Sequence, residues 1–347
     1  MKGTMRSLEP DEYAAWFGAN CASLPQRSPF HHPAWLEAVS TGTDFDVRFI
    51  GVTDGGEVSA VVPGFLARRG PLRLFGSPLR GTMTSYLGPL SLDSALTADG
   101  ARELMVACAD FARRRWWAPY AQFTIRDATP DRRRPPDGGW HEQRPGSYRL
   151  ELDAGEDALF AQLKSHCRRN VRKAAREGVT VVPFDDAALF HRILAETFRR
   201  HGSSSWHPPR FFRALMRLAE HDLLHAWAAQ YQGQTIAAGL FLHDDQEMHF
   251  LSGASLPKYG SLPTSYLLHW HAIATAARDG LRVFNSEASR IPSIDAFKES
   301  FNPVLERRST LIHAPGALWA ARRSFIRWTK ATRRVRSRAP ASAAVST

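Results

Sequence analysis

Apolar residues recur every three or four positions between residues 266 and 278, at Leu267, Trp270, Ile273, Ala274 and Ala277. This spacing predicts one face of an amphipathic helix, which ends at Gly280. A short apolar run at residues 281–284 follows at once and predicts a buried strand. The carboxyl end of that strand brings a polar loop, beginning at Asn285, to the rim of a sheet, where binding and catalytic residues concentrate.

The remaining pattern predicts two halves, each with helices and strands, that meet near residue 147. The first half has helices at 9–20 and 33–39, a hairpin around Asp54-Gly55-Gly56, a loop-rich strand region at 72–90, a helix at 98–117 and a strand at 121–127. Residues 129–146 are rich in proline, glycine and charge, which indicates a linker or an exposed hairpin. The second half has one long helix over 156–178 and three strands between residues 223 and 252.

The predicted polar loop leads into Phe297, Lys298 and a second aromatic residue, Phe301. A helix that ends in glycine, a strand, a polar loop and then this Phe-Lys pair resemble the closing segment of the Fem-type peptidoglycan aminoacyltransferases. Related acyltransferases found near exopolysaccharide genes share the pattern. The chain departs from it at Asn302, where glycine is usual, and at Asn285, where relatives often carry an acid.

The first half is similar to the same family in its strand VVPGF, its Tyr86-x-Gly88 turn and its strand ending in Arg126. The order of elements in each half resembles an acetyltransferase-type (GNAT) domain. The resemblance therefore implies an α+β fold of two tandem GNAT-like domains with mixed, mainly antiparallel sheets. We expect these domains at residues 1–146 and 147–302, with 303–315 returning to the first and 316–347 forming a basic tail.

The resemblance also implies an acyltransferase that moves an activated acyl or aminoacyl group to an amine, with Lys298 and Phe297 at the active centre. Attack of an amine on an activated carbonyl forms an oxyanion, and a fixed positive charge such as Lys298 stabilises it. Glu287 or Asp295 could accept a proton. The alternative role for either loop carboxylate is a helix cap or an ion pair.

The identity of the donor depends on a phosphate-binding loop. A GNAT-type sheet separates two strands so that backbone amides meet the donor, and the next helix presents its amino end to a pyrophosphate. Acetyl-CoA enzymes carry a glycine-rich loop there, whereas this chain has SLPKYGSLPTSY, with Gly260 as its single glycine. We therefore predict aminoacyl-tRNA as the co-substrate, with acyl-CoA as the alternative and no tightly bound cofactor.

The predicted substrate-binding residues are Tyr86, Arg126, Arg168, Arg172, Lys173, Trp206, Tyr259, Asn285 and Ser289. Among them Arg168, Arg172 and Lys173 match an arginine-rich helix of the family; a solvated basic face is the alternative interpretation.

Composition and charge add an expected class of partner. The chain has 347 residues, a formal net charge of +11 and 3 cysteines. This charge suits tRNA, an anionic cell-envelope precursor or an anionic membrane surface, although a high arginine content can also reflect a GC-rich genome. The segment from residue 317 onwards carries arginines without an acid, so it predicts an interfacial helix for peripheral membrane contact or an RNA-contacting arm.

We expect a cytoplasmic protein, at the inner face of the membrane if this tail binds lipid, because no apolar run approaches the roughly 20 residues of a bilayer span. No DNA partner is expected. No metal is expected either, since His31 and His32 lack further ligands at metal-binding spacing.

Two alternatives stay open at this level. The first is an acyl-CoA-dependent N-acyltransferase in exopolysaccharide biosynthesis. The second is a non-catalytic RNA- or membrane-binding protein on the same scaffold, which would tolerate the loss of Lys298. The G-x-S-x-G, H-E-x-x-H, P-loop and G-x-G-x-x-G motifs do not occur in the chain, which gives hydrolase, metalloprotease and nucleotidyl-transfer roles no support.

Overall fold

A computed structural model describes residues 3–93, 96–126, 135, 137–200, 207–289 and 291–320. The first half contains strands β1 (Thr4–Leu8), β2 (Asp46–Asp54), β3 (Glu57–Arg69), β4 (Leu72–Ser77), β5 (Leu90–Ser91), β6 (Tyr120–Ile125) and β7 (Trp140–Gln143), with helices α1 (Pro10–Asn20), α2 (Pro33–Gly42) and α3 (Ala98–Trp116). Its sheet has the order β1-β2-β3-β4-β6, and β5 pairs with β3. All of these pairings are antiparallel except β4 with β6.

The second half contains strands β8 (Gly146–Glu151), β9 (Thr180–Pro183), β10 (Leu224–Tyr231), β11 (Gln234–His243), β12 (Glu247–Ser255), β13 (Val283–Glu287), β14 (Val304–Arg307) and β15 (Ser309–His313). Its helices are α4 (Glu156–Gln162), α5 (Ser165–Arg176), α6 (Ala187–Arg200), α7 (Pro209–Met216), α8 (Thr264–Arg278) and α9 (Pro292–Glu299). The second sheet has the order β14-β8-β13-β12-β11-β10-β9. Only its β12–β13 pair is parallel, so the predicted mixed, mainly antiparallel α+β architecture is confirmed.

The segment 303–315 connects the two sheets. Strand β14 pairs with β8 at the edge of the second sheet, whereas β15 inserts between β6 and β7 in the first. Arg308, which separates the two strands, is 4% exposed. The domain limits at residues 146 and 302 stay predictions, but these pairings place strand β14 with the second sheet rather than the first.

Several predicted elements differ from the structure. The predicted strand at 281–284 is β13, which extends to Glu287, so Asn285 is a buried strand residue and does not begin the polar loop. Part of the predicted linker or exposed hairpin at 129–146 is strand β7, which pairs with β15 and buries Trp140.

The long helix over 156–178 is broken between α4 and α5, because Leu163 and Lys164 are extended (ψ 146 at both) and Lys164 N donates a hydrogen bond to Ser300 O at 3.0 Å. The predicted polar loop before Lys298 contains helix α9, whose first residue is Pro292, a residue that suits the first helical turn.

The main buried cluster draws side chains from both halves, including Phe30, Trp35 and Phe65 from the first and Phe190 and Phe211 from the second. Helices α2 and α7 pack across this junction so closely that a Cβ at Gly42 would lie 2.8 Å from Phe211 Cα. Burying side chains of this size stabilises the junction by about 2 kcal/mol each. The two halves therefore share a core, and polar groups at the junction are held by packing from both sides.

Among the described residues no helix combines the length and apolar character needed to cross a bilayer. Residues 321–347, which hold most of the predicted basic tail, lie outside the described part of the chain.

Candidate active site

Strands β12 and β13 form a fork in the second sheet. They pair in parallel from Glu247 opposite Val283 to Phe250 opposite Ser286. Beyond that point β12 continues beside β11 as far as Ala237 opposite Ser255, while the end of β13 stays with β8. The separation of the two strands opens a wedge next to the carboxyl end of β13, the strand that the sequence predicts to end at the site.

Lys298 lies in this wedge. It projects from α9, is 7% exposed, and donates a hydrogen bond from Nζ to the backbone carbonyl of Glu287 at the end of β13. Its Nζ is also 5.7 Å from the centre of the Phe250 ring. Burial lowers the pKa of Lys298 below its ordinary value, against the carboxylates of Glu287 and Asp295, which raise the pKa. The amine is therefore held by a carbonyl and an aromatic face at the mouth of the fork.

Aromatic rings surround the adjacent part of α9. Phe297 packs edge-on against Tyr266 and Phe301, with ring centres 4.9 and 5.3 Å apart. His269 on α8 lies 5.1 Å from the Phe297 ring, is 4% exposed, and has no hydrogen-bond partner at Nε2. Burial, together with Lys298, lowers the pKa of His269 to about 3, so the imidazole beside the lysine is neutral at pH 7.

The two predicted proton acceptors both have local partners. Glu287 Oε1 accepts a hydrogen bond from Arg308 Nη1, and the Glu287 side chain is 41% exposed. Asp295 Oδ1 accepts from the backbone N–H of Ser289 at 2.6 Å. Asp295 thus organises the loop before α9. The Glu287 carboxylate is partly open to solvent beside Lys298.

A buried carboxylate, Glu247, gathers polar groups from both halves at the start of β12. It is 3% exposed and accepts hydrogen bonds from the Tyr86 hydroxyl and from Arg126 Nη2. Asn285 Nδ2 donates to its Oε2 at 3.0 Å, and His249 Nε2 lies 3.2 Å from its Oε1. Burial alone would raise the pKa of Glu247, but the neighbouring His249, the Arg126 guanidinium and the hydrogen bonds from His249 and Tyr86 hold the pKa of this carboxyl well below its usual range.

Arg308 joins this network to Glu287. Its Nη2 donates to Ser147 Oγ at 2.7 Å, its Nη1 donates to Glu287, and its guanidinium lies 4.4 Å from the centre of the Tyr86 ring. The arginine is almost fully buried, and in the chain it lies between β14 of the second sheet and β15 of the first. A chain of contacts therefore runs from Glu247 through Tyr86 and Arg308 to Glu287 and Lys298.

The structure brings together seven of the residues predicted from the sequence: Lys298, Phe297, Glu287, Asp295, Asn285, Tyr86 and Arg126. Ser289 contributes its backbone to the same loop. Trp206 lies outside the described residues. Tyr259 lies elsewhere, in the loop between β12 and α8, and its hydroxyl donates to Oε1 of Gln234 at the start of β11 at 2.6 Å.

The basic helix α5 forms a separate surface. Arg168, Arg169, Arg172 and Arg176 line an open depression of about 570 Å³. Arg168 also donates to Ala161 O at 2.6 Å, which caps the end of α4, and Arg172 lies 5.2 Å from the Phe160 ring centre. Lys173 Nζ reaches Ser261 O at 3.4 Å, so this surface adjoins the loop between β12 and α8.

Sequence reasoning missed Glu247, His249, His269 and Arg308. One signal was available for the first two: Glu247 and His249 are alternate residues and the only ionisable ones in strand β12, so they face the same side of the sheet. Arg308 follows Arg307 in a charged stretch and carries no such signal. Its burial results from the strand exchange between the two sheets.

The loop between β12 and α8 uses its own backbone amides. Tyr259 N donates to Leu256 O at 3.1 Å and Gly260 N to Pro257 O at 3.0 Å. Leu262 N donates to Tyr259 O at 3.0 Å and Thr264 N to Leu262 O at 2.8 Å. These amides are therefore already engaged and do not form an open cradle for a pyrophosphate. Within the described ranges no group of three or more His, Cys, Asp or Glu side chains is arranged to hold a metal ion.

Comparison with known proteins agrees with this architecture. Residues 161–288 match a family model described as an acetyltransferase (GNAT) domain. The structure of FemX is similar over 91% of this chain and 98% of its own, with 13% identity and a TM-score of 0.67. A tandem GNAT protein from the clavulanic acid biosynthesis pathway is similar over 90% and 98%, with 13% identity and a TM-score of 0.56.

The C-terminal domain of a putative lysylphosphatidylglycerol synthetase from Agrobacterium fabrum is similar over 89% of this chain and 94% of its own, with 14% identity and a TM-score of 0.55. A search of curated protein sequences finds no match. The family model and the element order both assign the second half to the GNAT fold, and the solved structures extend that fold to both halves. Residues 161–288 thus form an acetyltransferase-type (GNAT) domain, which supports the predicted acyltransferase class, and the chain as a whole has a tandem GNAT fold similar to that of FemX.

Proposed function

We propose that this protein transfers an aminoacyl group from aminoacyl-tRNA to an amine of an anionic cell-envelope precursor. The reaction takes place at the fork between β12 and β13, where Lys298 is held. Phe297 and its aromatic neighbours exclude water from one side of the amine. The carbonyl that holds the amine belongs to Glu287, whose side chain is partly exposed and so open to a substrate.

In this reaction the acceptor amine attacks the ester carbonyl of the donor, a C–N bond forms, and the bond to the ribose oxygen of the tRNA breaks. The proton lost by the amine is carried to the departing ribose oxygen, and Glu287 is the accessible carboxylate that can take it in transit. The tetrahedral intermediate carries an oxyanion. The Lys298 ammonium stabilises it, because a charge fixed in a water-poor site needs little reorganisation.

The observation that carries the choice of donor is the loop between β12 and α8. Its amides at residues 259, 260, 262 and 264 donate to carbonyls of the same loop. A CoA pyrophosphate relies on amides of this kind, so the loop offers it little. A tRNA donor does not need that cradle, because its many phosphates can be bound by side chains.

The arginines of α5 are suited to that task. Arg169, Arg172 and Arg176 are exposed along one side of the helix, and Lys173 ties the helix to the loop at Ser261. Contacts between such side chains and phosphates release counterions, which makes binding strongly dependent on salt. We therefore expect tRNA to lie along α5 with its acceptor end directed to the fork.

One observation favours a second candidate function. The family model that matches residues 161–288 describes an acetyltransferase domain, and enzymes of that type commonly use acyl-CoA. In this case the protein is an N-acyltransferase acting on an exopolysaccharide precursor, and the same Lys298 serves the same oxyanion. To bind CoA, such an enzyme would have to rearrange the loop between β12 and α8, whose amides donate to carbonyls of the same loop.

The deciding experiment follows a labelled amino acid from charged tRNA to a nucleotide-linked muropeptide that has a free amine. The reaction is run with and without ribonuclease, and in parallel with acyl-CoA as donor. We expect product that disappears on ribonuclease treatment and on substitution Lys298→Met. Product that survives ribonuclease and requires acyl-CoA would establish the second candidate instead.

A matched control separates donor binding from chemistry. Substitution of Arg169 and Arg172 by Gln should weaken tRNA binding and flatten its salt dependence while the single-turnover rate at saturating tRNA is preserved. Lys298→Met should have the opposite effect, with binding retained and the rate lost. Full transfer by Lys298→Met would show that Lys298 does not stabilise the oxyanion, whereas no transfer by the wild type from either donor would support a non-catalytic binding protein.

A further inference from the structure

One end of the first half presents a surface that combines arginines with an exposed tryptophan. We name it the Arg–Trp end, and it consists of Arg68, Arg69, Arg73, Arg113, Arg114, Arg115 and Trp117. The first three lie on the hairpin that joins β3 to β4, and the others lie at the carboxyl end of α3. All seven residues are exposed.

The hairpin and the helix end lie side by side. Strand β4 is parallel to β6, and Leu74 near the start of β4 is opposite Tyr120 at the start of β6. Strand β6 follows α3 directly, so the end of α3 is beside the β3–β4 turn. Arg73 Nη1 donates to Trp116 O at 3.3 Å, which joins the two elements.

Neither the exposure of Trp117 nor its backbone conformation contributes to the stability of the fold. Its side chain is on the surface, with 78% of the residue exposed, so burial does not stabilise it. Its backbone is left-handed (φ 56) at the end of α3, a position that favours glycine. A large ring that is exposed and carried on a strained cap points to a contact outside the folded chain.

The charges are arranged in a similarly unfavourable way. Arg68 and Arg73 are directly opposite each other across the hairpin, where like charges repel. Asp110 pairs with Arg113 at 3.3 Å and so offsets one of these charges, whereas Asp46 on β2 pairs with Arg48 at 3.6 Å. An anionic partner would relieve this repulsion.

From these observations we infer that the Arg–Trp end docks the protein on the surface of an anionic bilayer. Arginines are attracted to acidic headgroups, and tryptophan settles at the level of the headgroups with its ring towards the acyl chains. The turn is open to solvent, since a Cβ at Gly70 would meet no atom within 4 Å. A projecting turn and helix end suit a plane of headgroups better than an RNA strand, which is bound in a groove.

This inference does not rest on the identity of the donor or the acceptor. It assigns membrane contact to described residues of the first half, independently of the basic tail. Each arginine near an anionic surface contributes about five-fold in affinity, so the loss of two arginines and the tryptophan should weaken binding well over ten-fold.

The first test locates the contact directly in the full-length protein. A fluorophore sensitive to polarity is attached to Trp117→Cys in a Cys21→Ser background, since Cys108 and Cys167 are buried. The control carries the label at Leu92→Cys, which is also an exposed apolar position of the first half. With vesicles of phosphatidylcholine and phosphatidylglycerol, the label at position 117 should shift to the blue and the label at 92 should not. Equal responses at the two positions, or none at 117, would overturn the inference.

The second test measures affinity by vesicle co-sedimentation. Trp117→Gly, which suits the left-handed cap, is combined with Arg68→Gln and Arg115→Gln. The control variant combines Leu92→Ser with Arg213→Gln on α7 and Arg217→Gln directly after it, so that both variants lose the same charge and retain the tail. We expect the first variant alone to lose binding to phosphatidylglycerol vesicles. Equal loss in both variants, or loss of single-stranded RNA binding with vesicle binding intact, would refute the inference.

Discussion

Glu247→Gln tests the buried network that joins the two halves. The glutamine has the same shape but removes the negative charge that accepts from Arg126 Nη2, Tyr86 and Asn285. The side-chain N–H2 group of the glutamine is a hydrogen-bond donor, and it would face groups that themselves donate. Removal of one partner from a buried ion pair typically costs 3–5 kcal/mol. Because the Arg126 side chain is 38% exposed and can regain water, we expect the low end, about 3 kcal/mol.

The assay is urea unfolding at several pH values, with the midpoint shift at constant slope as the readout. The pKa of Glu247 is lower in the folded state than in the unfolded chain. As the pH falls, the unfolded chain therefore binds the proton before the folded chain does. The contribution of the Glu247 charge to the free energy of unfolding is complete above the unfolded pKa of about 4.3, and it is lost progressively as the pH falls below that value. The variant should thus be less stable than the wild type by a constant amount between pH 6 and 8 (roughly the range far from this titration), and the gap should shrink below about pH 4.

The control is Glu151→Gln on β8. Glu151 also pairs with an arginine, Arg149, at 2.7 Å, but its side chain is 57% exposed. An exposed pair contributes about 0–1 kcal/mol, so this variant should unfold almost as the wild type does. The reasoning is wrong if Glu247→Gln unfolds within about 1 kcal/mol of the wild type at neutral pH, or if its deficit persists at acid pH where Glu247 is protonated.

Three further predictions concern single sites. Lys298→Met should lower the single-turnover rate by about a hundred-fold or more with the thermal midpoint little changed; a rate within a few-fold of wild type would contradict this. In the wild type His269 has a folded pKa of about 3, so the unfolded chain binds its proton first as the pH falls below about 6.5, and the free energy of unfolding drops by about 2 kcal/mol between pH 7 and 5. His269→Leu should lack this drop; an unchanged pH dependence of the urea midpoint would refute it. Gly42→Ala should cost about 2 kcal/mol, since its Cβ would lie 2.8 Å from Phe211 Cα; unchanged thermal melting would show that α2 and α7 can move apart.

The elements around the fork were predictable from the sequence because their signals are local. Helix α8 and the strands β10 to β13 follow from hydrophobic periodicity and from turn residues within a few positions. The Phe297-Lys298 pair carries the resemblance to the Fem-type enzymes, and the tandem GNAT fold that it implies is confirmed. Local signals failed at the break between α4 and α5, which depends on a hydrogen bond from Lys164 to Ser300, far along the chain.

The surroundings of Lys298 depended on tertiary structure alone. Glu247 is 161 residues from Tyr86 and 121 from Arg126, and neither separation leaves a periodic trace in the sequence. A charged residue such as Arg308 is ordinarily expected at the surface, and it is buried only because β14 and β15 join different sheets on either side of it. The sequence by itself therefore determined the elements and the chemical class, through patterns that each segment carries alone. The tertiary structure decided which charges are buried together, because a buried charge is stable only where distant parts of the chain supply its partners.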